Sequence, residues 1–258
     1  MNAVAPPVSR TSADCRKLYL DLMQGCLLGL ISRDPAQDPW SSGFDLDKRM
    51  LGRDWPLQAH SMIGNARMTN LRAVAEHLIT HDVPGDFIET GIWRGGACIM
   101  MRAVLSAYGV TDRIVWCADS FEGLPPPDAE NYPADAGDQH HTYAPLAVSL
   151  DEVKSNFERY GLLDEQVKFL KGWFKDTLPS APIDKLALLR LDGDMYESTM
   201  DALNALYDKV APGGAIIVDD YGAVEGCRRA VADFLGARSI RANIANIDGI
   251  GAWWVKAR

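Results

Sequence analysis

Five short apolar runs, separated by stretches of helical character, constrain the fold of this chain more than any other feature. The runs are GDFIET (85–90), RIVWCADS (113–120), QVKFLKGW (166–173), KLALLRLDGD (185–194) and GGAIIVDD (213–220). They are mostly apolar throughout rather than alternating, which is typical of strands buried on both faces of a parallel sheet. Because helical segments separate them, the sequence predicts a doubly wound, mostly parallel α/β sheet of the Rossmann-like type.

Both ends of the chain depart from this alternation. The final stretch SIRANIANIDGIGAWWVKA holds two extended runs around DGIG, which predicts a C-terminal antiparallel hairpin that finishes the sheet. Residues 1–80 instead contain two helical stretches around a break rich in Pro, Asp and Ser. We therefore expect an N-terminal helical extension over 1–80 and a ligand-binding catalytic domain over 81–258, which together form one structural unit.

Two connections between the predicted elements have distinctive compositions. EGLPPPDAENYPADAGDQHHTYAPL (122–146) is long, Pro-rich and without periodicity, and it begins where the second predicted strand ends. Loops of this length in compact domains are usually functional, so we expect a structureless lid over a ligand. APGG (211–214) carries a helix-stop signal and predicts the end of the helix formed by YESTMDALNALYDKV.

The composition limits the classes of partner. The 258 residues carry a formal charge of −9, which argues against nucleic acid because phosphate binding requires a basic surface. The five cysteines are scattered without a C-x-x-C pair, so the sequence signals neither a disulfide framework nor a zinc site. No stretch resembles a signal peptide or a membrane span, and we expect a cytoplasmic protein without membrane contact.

The turn after the first predicted strand has the features of a ligand-binding loop. Glu89 ends the strand, and Gly91, Gly95 and Gly96 follow in a G-x-x-x-G-G spacing that allows close approach of the backbone to a ligand. This differs from the G-x-G-x-x-G of dinucleotide binding, and Glu89 would repel a phosphate and attract an amino group. A tight strand-to-helix turn without a ligand remains the alternative.

The second predicted strand ends at Asp119. In nucleoside-binding sheets an acidic residue at this place accepts hydrogen bonds from ribose hydroxyls, whereas the alternative role is an N-cap for the next segment. Together with Glu89 and the glycine-rich turn, Asp119 favours a nucleoside that carries a positively charged amino-acid tail.

Further acidic residues follow the fourth and fifth runs. Asp192 and Asp194 lie in RLDGDMYES, and Asp219 and Asp220 lie in VDDYG. If these two strands are neighbours, about 5 Å apart, Asp192 and the Asp219–Asp220 pair lie close enough to share a cation. Oxygen ligands favour a hard divalent ion, Mg²⁺ foremost. The alternative is helix capping by Asp194 and Asp220.

Several motifs resemble those of the macrocin O-methyltransferase family. They are GDFIETGIWRGGACI, ADSFEG, RYGLLDEQVKFLKGWFKDTLP, LRLDGDMYESTMDAL, GGAIIVDDYG and HSMIGNARMTNL, and the resemblance spans about residues 16–255. It implies a class I methyltransferase fold and an enzyme, dependent on S-adenosylmethionine and Mg²⁺, that methylates sugar hydroxyls of macrolides and related natural products. It also implies a homodimer or a higher homo-oligomer.

The resemblance further implies roles for individual residues. The methionine part of the cofactor would be held by Glu89, Thr90, Gly91, Trp93, Arg94 and Gly95, with Met62 nearby. The ribose and adenine would be held by Asp119, Ser120 and Phe121, with Trp173 and Phe174 on the adenine side. Mg²⁺ would be bound by Asp192, Asp219 and Asp220.

The group that accepts the proton of the substrate hydroxyl is less clearly marked. Related catechol-type enzymes carry a lysine base three residues after the first metal aspartate, whereas here that position is Met195. A base then comes from Asp192 itself or from the lid histidines His140 and His141, and we take Asp192 and His141 as the catalytic candidates. A solvent-exposed, non-catalytic His141 is the alternative.

The expected acceptor is a deoxysugar hydroxyl of a glycosylated natural product. The alternatives are a nucleotide-activated deoxysugar and a catechol-like aromatic compound. An NAD-dependent oxidoreductase is disfavoured by the glycine spacing and by the crowded acids at the sheet edge. A non-catalytic cofactor-binding homologue is disfavoured because it would have no use for the metal aspartates.

Overall fold

The computed structural model describes residues 11–257, which form a central sheet with helices on both faces. Its strands are β1 Asp86–Thr90, β2 Val115–Asp119, β3 Val167–Lys171, β4 Leu186–Leu191, β5 Val210–Val218, β6 Ala245–Asn246 and β7 Ala252–Val255. Its α-helices are α1 Ser12–Leu27, α2 Leu46–Leu51, α3 Gly64–Thr80, α4 Gly96–Ala107, α5 Leu150–Arg159, α6 Phe174–Thr177, α7 Tyr196–Leu206 and α8 Glu225–Ala237.

The strands follow the order β3-β2-β1-β4-β5-β7-β6. Strands β1 to β5 run parallel, whereas β7 pairs antiparallel with both β5 and β6. The direction of the order reverses between β1 and β4, and doubly wound sheets bind ligands beyond the carboxyl ends of the strands at such a switch point. The predicted Rossmann-like α/β fold and its C-terminal antiparallel hairpin are confirmed.

Alternate strand residues enter two separate cores, one on each face of the sheet. Phe87 of β1 and Leu188 of β4 pack with apolar residues of α1, α3, α4 and α5. Their chain neighbours Ile88 and Leu189 pack with residues of α7 and α8. This two-sided burial is the reason why the inner strands appear in the sequence as mostly apolar runs. Within residues 11–257, no helix has the length and apolar content that a membrane crossing requires.

The N-terminal extension is built from α1, α2 and α3. α1 and α3 pack against α4, and their apolar residues, such as Leu20 and Leu71, belong to the same core as Phe87. α2 lies inside the break rich in Pro, Asp and Ser, where no helix was predicted, because six residues are too few to show apolar periodicity. The first ten residues of the predicted extension lie outside the described residues, and its division from the catalytic domain at residue 80 stays a prediction.

A buried arginine holds the irregular part of the extension together. Arg49 of α2 is fully buried and donates from Nε and Nη2 to the carboxylate of Asp54, at 2.8 and 2.9 Å. It also donates to the backbone oxygens of Leu28 and Asp34. Replacement by methionine would leave Asp54 charged and unpaired in the interior, so we expect Arg49→Met to lower the free energy of unfolding by about 3–5 kcal/mol. Urea titration followed by circular dichroism measures the loss, and an effect no larger than that of Arg53→Met, at an exposed neighbouring position, would contradict this role.

The predicted boundary between the helix and the fifth strand was wrong. α7 ends at Leu206, a 3-10 turn covers Tyr207–Lys209, and β5 already begins at Val210. The APGG segment therefore lies within the strand and does not end the helix. Gly213 adopts a left-handed φ of 84° at the place where the pairing register with β4 shifts, so the glycine pair marks an irregularity in the strand.

Candidate active site

A cavity of about 550 Å³ lies beyond the carboxyl ends of β1, β2, β4 and β5, at the switch point of the strand order. Its lining includes Gly91 after β1, Ser120 after β2, Asp192 after β4 and Asp219 after β5. Further walls come from the lid, from the N-terminal extension, from the segment after β3 and from the start of α7. The strand ends that carry the predicted site residues therefore meet around one cavity.

The turn between β1 and α4 leaves no space for a side chain at two of its glycine positions, Gly91 and Gly96. Gly91 has a φ of 83°, and a Cβ at this position would collide with the backbone carbonyl of Asp192. A Cβ on Gly96, the first residue of α4, would collide with the backbone carbonyl of His60. Trp93 between them has a φ of 48°, an uncommon conformation for a bulky residue. The glycines thus allow this turn to lie directly against β4 and the extension.

Asp119 organises the loops after β1 and β2. Its Oδ2 accepts a hydrogen bond from the backbone N–H of Ile92 at 2.8 Å, and its Oδ1 accepts one from the N–H of Phe121 at 2.7 Å. Each carboxylate oxygen has lone pairs for more than one donor. Because Asp119 also lines the cavity, it keeps the capacity to accept from a ribose hydroxyl while it fixes both loops.

Three carboxylates meet where β4 and β5 end. Leu191 of β4 pairs with Val218 of β5, which places the residues after them side by side. Asp192, Asp219 and Asp220 each offer one oxygen, and these atoms all lie within 4.8 Å of one another. This spacing is compatible with three ligands of one divalent cation.

Two buried arginines contact this acidic cluster. Arg190 of β4 is 1% exposed; its Nη1 donates to Glu89 and Asp192, and its Nη2 donates to Asp219. Arg67 of α3 donates to the other carboxylate oxygen of Asp219. The two guanidinium groups neutralise part of the negative charge, and Arg190 connects the end of β1 to the cluster.

The charge balance of the site leaves room for a further cation. Five carboxyl groups face two guanidinium groups; the acids are Glu89, Asp192, Asp194, Asp219 and Asp220. Burial raises the pKa of Glu89 and of Asp194 to about 7, and the pKa of Asp220 well above its usual range. The buried Oδ2 of Asp220 also has no hydrogen-bond partner. Excess negative charge and an unpartnered carboxylate oxygen are features of a cation site, and an all-oxygen donor set fits Mg²⁺.

The helix-capping alternative for these acids is not formed. Neither α7 nor α8 has a side-chain cap from Asp194 or Asp220 at its N-terminus. The first N–H groups of α7 instead donate to Asp135 of the lid, at 2.6 Å from Tyr196 and 3.0 Å from Glu197. Capping therefore gives no account of the adjacent aspartates that follow β5.

The lid contains regular turns and is hydrogen-bonded to the turn after β1 and to the start of α7. Three 3-10 turns cover Pro133–Asp135, His140–Thr142 and Ala144–Leu146, although no regular structure was predicted for this segment. Trp93 donates from Nε1 to the backbone oxygen of Pro145 at 2.8 Å, which fastens the end of the lid to the turn after β1. Asp135 fastens its middle to the start of α7.

The two lid histidines occupy different environments. His140 lines the cavity, and its Nδ1 lies 2.7 Å from Oδ2 of Asp138. Burial alone would lower the pKa of His140, but the carboxylates of Asp194 and Asp138 outweigh it and raise that pKa above its usual value. His141 is exposed and is not part of the lining. Consecutive residues of a 3-10 turn point in different directions, and the structure places His140 rather than His141 at the cavity.

The residues predicted for the cofactor fall into two groups. Those on the cavity lining are Met62, Glu89, Gly91, Trp93, Asp119, Ser120, Trp173 and Phe174. The others lie behind it: Thr90 is buried in β1, Arg94 donates to backbone carbonyls of the extension, Gly95 is the N-cap of α4 with a φ of 85°, and Phe121 packs in the core. This second group supports the loops from outside the cavity.

Several residues of the site were not predicted. Trp40, Trp55 and His60 of the extension line the cavity, and so does Arg67. Arg67 lies in the HSMIGNARMTNL motif, to which no role beyond Met62 had been given. The two tryptophans lie in the segment rich in Pro, Asp and Ser between the predicted helices. Large apolar rings in such a polar segment were the sequence signal that could have indicated a binding surface there.

The buried His60 makes the stability of the fold sensitive to acid. It is 8% exposed, its Nδ1 lies 2.9 Å from the Tyr160 hydroxyl, and burial together with the charges of Arg159 and Arg94 lowers its pKa to about 4. Because the unfolded chain binds this proton near the ordinary pKa of 6.5, stability falls as the pH drops from about 6.5 to about 4. We expect this loss in the free energy of unfolding to reach about 2–3 kcal/mol at pH 4.5 and to be absent in His60→Gln. Urea unfolding at pH 7 and 4.5 measures it; a wild-type pH dependence in His60→Gln, or an equal change in the control His77→Gln at an exposed site, would contradict it.

A Rossmann-like sheet whose strand ends carry a glycine turn, an acidic residue on β2 and an acidic cluster belongs to the class I methyltransferases, and the chain is an O-methyltransferase of this fold. The model of one family, macrocin O-methyltransferase (TylF), matches residues 16–256. The chain belongs to this family.

Relatives of known activity are similar over nearly their whole length. The 8-demethyl-8-(2,3-dimethoxy-α-L-rhamnosyl)-tetracenomycin-C 4′-O-methyltransferase of Streptomyces olivaceus is 53% identical over 93% of both chains. Demethyldecarbamoylnovobiocin O-methyltransferase of Streptomyces niveus is 48% identical over the whole of both chains. Among solved structures, the O-methyltransferase NovP is 50% identical, with a TM-score of 0.91 over 94% of this chain and 100% of that chain. The calicheamicin methyltransferase CalS11, at 17% identity and a TM-score of 0.58 over 99% of this chain and 97% of that chain, shares the fold.

Proposed function

We propose that the enzyme uses S-adenosylmethionine and Mg²⁺ to methylate a deoxysugar hydroxyl of a glycosylated natural product. The observation that carries the proposal is the position of the carboxylate cluster, with its unpartnered Asp220 oxygen, in the same cavity as the glycine turn. Two relatives described above are named for a rhamnosyl tetracenomycin and for a novobiocin precursor, which supports this class of acceptor.

The cofactor would lie along the ends of β1 and β2. The methionine part would be held by Glu89, Gly91 and Trp93 with Met62 nearby, the ribose by Asp119 and Ser120, and the adenine beside Trp173 and Phe174. When bound, S-adenosylmethionine supplies an electrophilic methyl group on a sulfonium. Thr90, Arg94, Gly95 and Phe121 would act from behind by keeping these loops in place.

The metal would be held by Asp192, Asp219 and Asp220. When bound, the ion supplies a Lewis acid that lowers the pKa of a hydroxyl on the acceptor. Arg190 and Arg67 contact the two oxygens of Asp219 and so restrict its rotation. The protein thereby presets the ligand positions before substrate arrives.

Asp192 is the group that we assign to accept the proton of the hydroxyl. Its side chain is 24% exposed, against 5% for Asp219, and it lines the cavity beside Gly91. Met195, at the position of the lysine base of catechol-type enzymes, is buried and has no basic group. With the proton on Asp192, attack of the oxygen on the methyl group depends on positioning and on the electrostatics of the cavity.

Calorimetry and methyl-transfer assays test this proposal. We expect S-adenosylhomocysteine to bind and NAD not to bind, and the reverse result would reject the class of reaction. Mass spectrometry after incubation with a glycosylated natural product, a nucleotide-activated deoxysugar and a catechol identifies the acceptor class. Loss of turnover in EDTA with recovery on addition of MgCl₂ supports the metal, whereas full turnover in EDTA would remove it from the mechanism.

Substitution of the lid histidines separates their roles. We expect His140→Gln to lower kcat/KM by about tenfold, because the change removes a group on the cavity wall that pairs with Asp138. His141→Gln, on the exposed side of the same turn, should change kcat/KM by less than about twofold. Steady-state kinetics at saturating cofactor measures both variants. A larger loss for His141→Gln than for His140→Gln would restore His141 as the lid base.

Two further parts of the proposal concern the state of the protein. We propose a cytoplasmic location, supported by the scattered free cysteines, and a homo-oligomer, supported by the family resemblance. Sedimentation analysis of the purified enzyme measures its oligomeric state, and a monomer at micromolar concentration would reject the homo-oligomer.

A further inference from the structure

One exposed tryptophan at the mouth of the cavity has no part in the chemistry derived above. Trp40 is 51% exposed and at the same time contributes to the cavity lining. An indole ring left half in water beside a binding cavity provides a flat apolar surface that a ligand can cover.

Trp40 belongs to a triad of aromatic rings that meet edge to face. The ring centroids of Trp40 and Trp55 lie 5.0 Å apart, those of Trp40 and Tyr143 lie 6.0 Å apart, and those of Trp55 and Tyr143 lie 5.5 Å apart. The interplanar angles are 75°, 84° and 83°, the T-shaped arrangement that aromatic pairs favour. In this arrangement each ring orients the other two.

The triad joins segments that are separately anchored. The N–H of Gln37 donates to the backbone oxygen of Trp55 at 2.8 Å, and the N–H of Trp55 donates to the buried carboxylate of Asp38 at 2.9 Å, so the loop of Trp40 and the segment of Trp55 form one unit. Tyr143 comes from the lid, close to the anchor point at Pro145. The direction in which Trp40 presents its ring is therefore set by the fold.

The charge of the cavity indicates what this surface does not bind. Among the described residues, nine carboxylates line the cavity but only two permanently charged cations, Arg67 and Lys175. Arg67 is paired with Asp219 and Asp248, and Lys175 lies 4.0 Å from Glu197. Among the described residues, this lining would therefore repel a pyrophosphate group, and neither of its two permanent cations is unpaired.

We propose that Trp40, supported by Trp55 and Tyr143, is the subsite for the apolar, planar aromatic aglycone of the acceptor. The inference rests on the proposed function and deepens it: the sugar hydroxyl reaches the carboxylates, and the aglycone that remains at the mouth covers the exposed ring. The aglycone is selected by stacking and burial of apolar area, and the acidic lining disfavours the same sugar when it carries a nucleotide.

The test compares acceptors with and without the aglycone. The probes are 8-demethyl-8-(2,3-dimethoxy-α-L-rhamnosyl)-tetracenomycin C and methyl 2,3-di-O-methyl-α-L-rhamnoside. We expect Trp40→Ala to raise KM for the first by about tenfold or more at little change in kcat, and to leave KM for the second unchanged. Trp40→Phe, which keeps a ring, should recover part of the loss. Equal KM values of wild type and Trp40→Ala for the first probe, or an equal rise for both probes, would overturn the proposal.

Two controls keep the outcome interpretable. Leu46→Ala removes another exposed apolar side chain of the extension, 54% exposed and outside the cavity lining, and should leave both KM values unchanged. If the wild type methylates neither probe, rhamnosyl tetracenomycins are excluded as its acceptors, and that result is separate from the question of the subsite. The aglycone 8-demethyltetracenomycin C then decides the subsite by calorimetry: binding to wild type that weakens about tenfold in Trp40→Ala supports it, and no binding, or equal binding to both, overturns it.

Discussion

Replacement of Asp192 by asparagine is expected to lower kcat by about 10²–10⁴-fold, the contribution of a positioned general base. Asparagine keeps the size of the side chain and one oxygen, so the shape of the cavity is retained while the proton acceptor and its charge are lost. Because the proposed cofactor site lies at the ends of β1 and β2, binding of S-adenosylhomocysteine should stay within a few-fold of wild type. Stopped assays give kcat, and calorimetry gives the cofactor affinity.

Two comparisons show whether Asp192 acts as a base or only as a metal ligand. Asp220→Asn removes a cluster carboxylate that has no arginine partner, and raised Mg²⁺ should recover part of its activity. Asp192→Asn should stay inactive at the same Mg²⁺ concentration, because a weakened ligand can be compensated by mass action and a missing base cannot. Asp176→Asn, at an exposed position of α6 outside the lining, is the matched control. Recovery of Asp192→Asn to wild-type kcat by Mg²⁺ would contradict the role as proton acceptor.

The sheet was predictable because burial on both faces produces continuous apolar runs in the sequence. Phe87 and Ile88 enter different cores although they are chain neighbours, so no polar residue interrupts the run. The APGG segment shows the limit of such local signals. Proline and two glycines stop a helix in most contexts, yet here pairing of Val210 with Leu186 in β4 extends the strand through them.

From the residue pattern alone, without the family resemblance, the site was predictable only where its residues end strands. Asp192 and Asp219 were found because parallel strands bring their carboxyl ends to one edge. Arg190 could not be found in this way, since it stands inside the apolar run LLRL and its partners lie on other strands; Glu89 is its cross-strand neighbour in β1. Arg67 reaches Asp219 from 152 residues away, a distance that no local pattern covers.

Arg190→Met is expected to have the largest effect on the protein as a whole. The change leaves Glu89, Asp192 and Asp219 close together without the central guanidinium that contacts all three. Removal of one partner from a buried ionic network costs about 3–5 kcal/mol, which corresponds to a fall in melting temperature of roughly 10 °C for a chain of this size. We also expect kcat/KM to fall by about a hundredfold, because a shift of about 1 Å in the carboxylates of Asp192 and Asp219 would misplace the reacting groups of the proposed mechanism. Thermal melts and steady-state kinetics measure the two effects.

Removal of the Glu89 carboxylate tests why Arg190→Met lowers the stability of the fold. In the double variant Arg190→Met/Glu89→Gln one uncompensated negative charge is gone, so we expect it to be more stable than Arg190→Met alone, with a coupling free energy of about 1–3 kcal/mol. Arg190→Lys keeps the charge but has a single ammonium, which cannot reach Glu89 and Asp219 together, and its melting temperature should fall between wild type and Arg190→Met. Arg228→Met, at an exposed position of α8, controls for the loss of an arginine side chain. Strict additivity of the two single changes would show that Arg190 stabilises the sheet by packing alone, and that its contact between Glu89 and the carboxylates of Asp192 and Asp219 has no energetic basis.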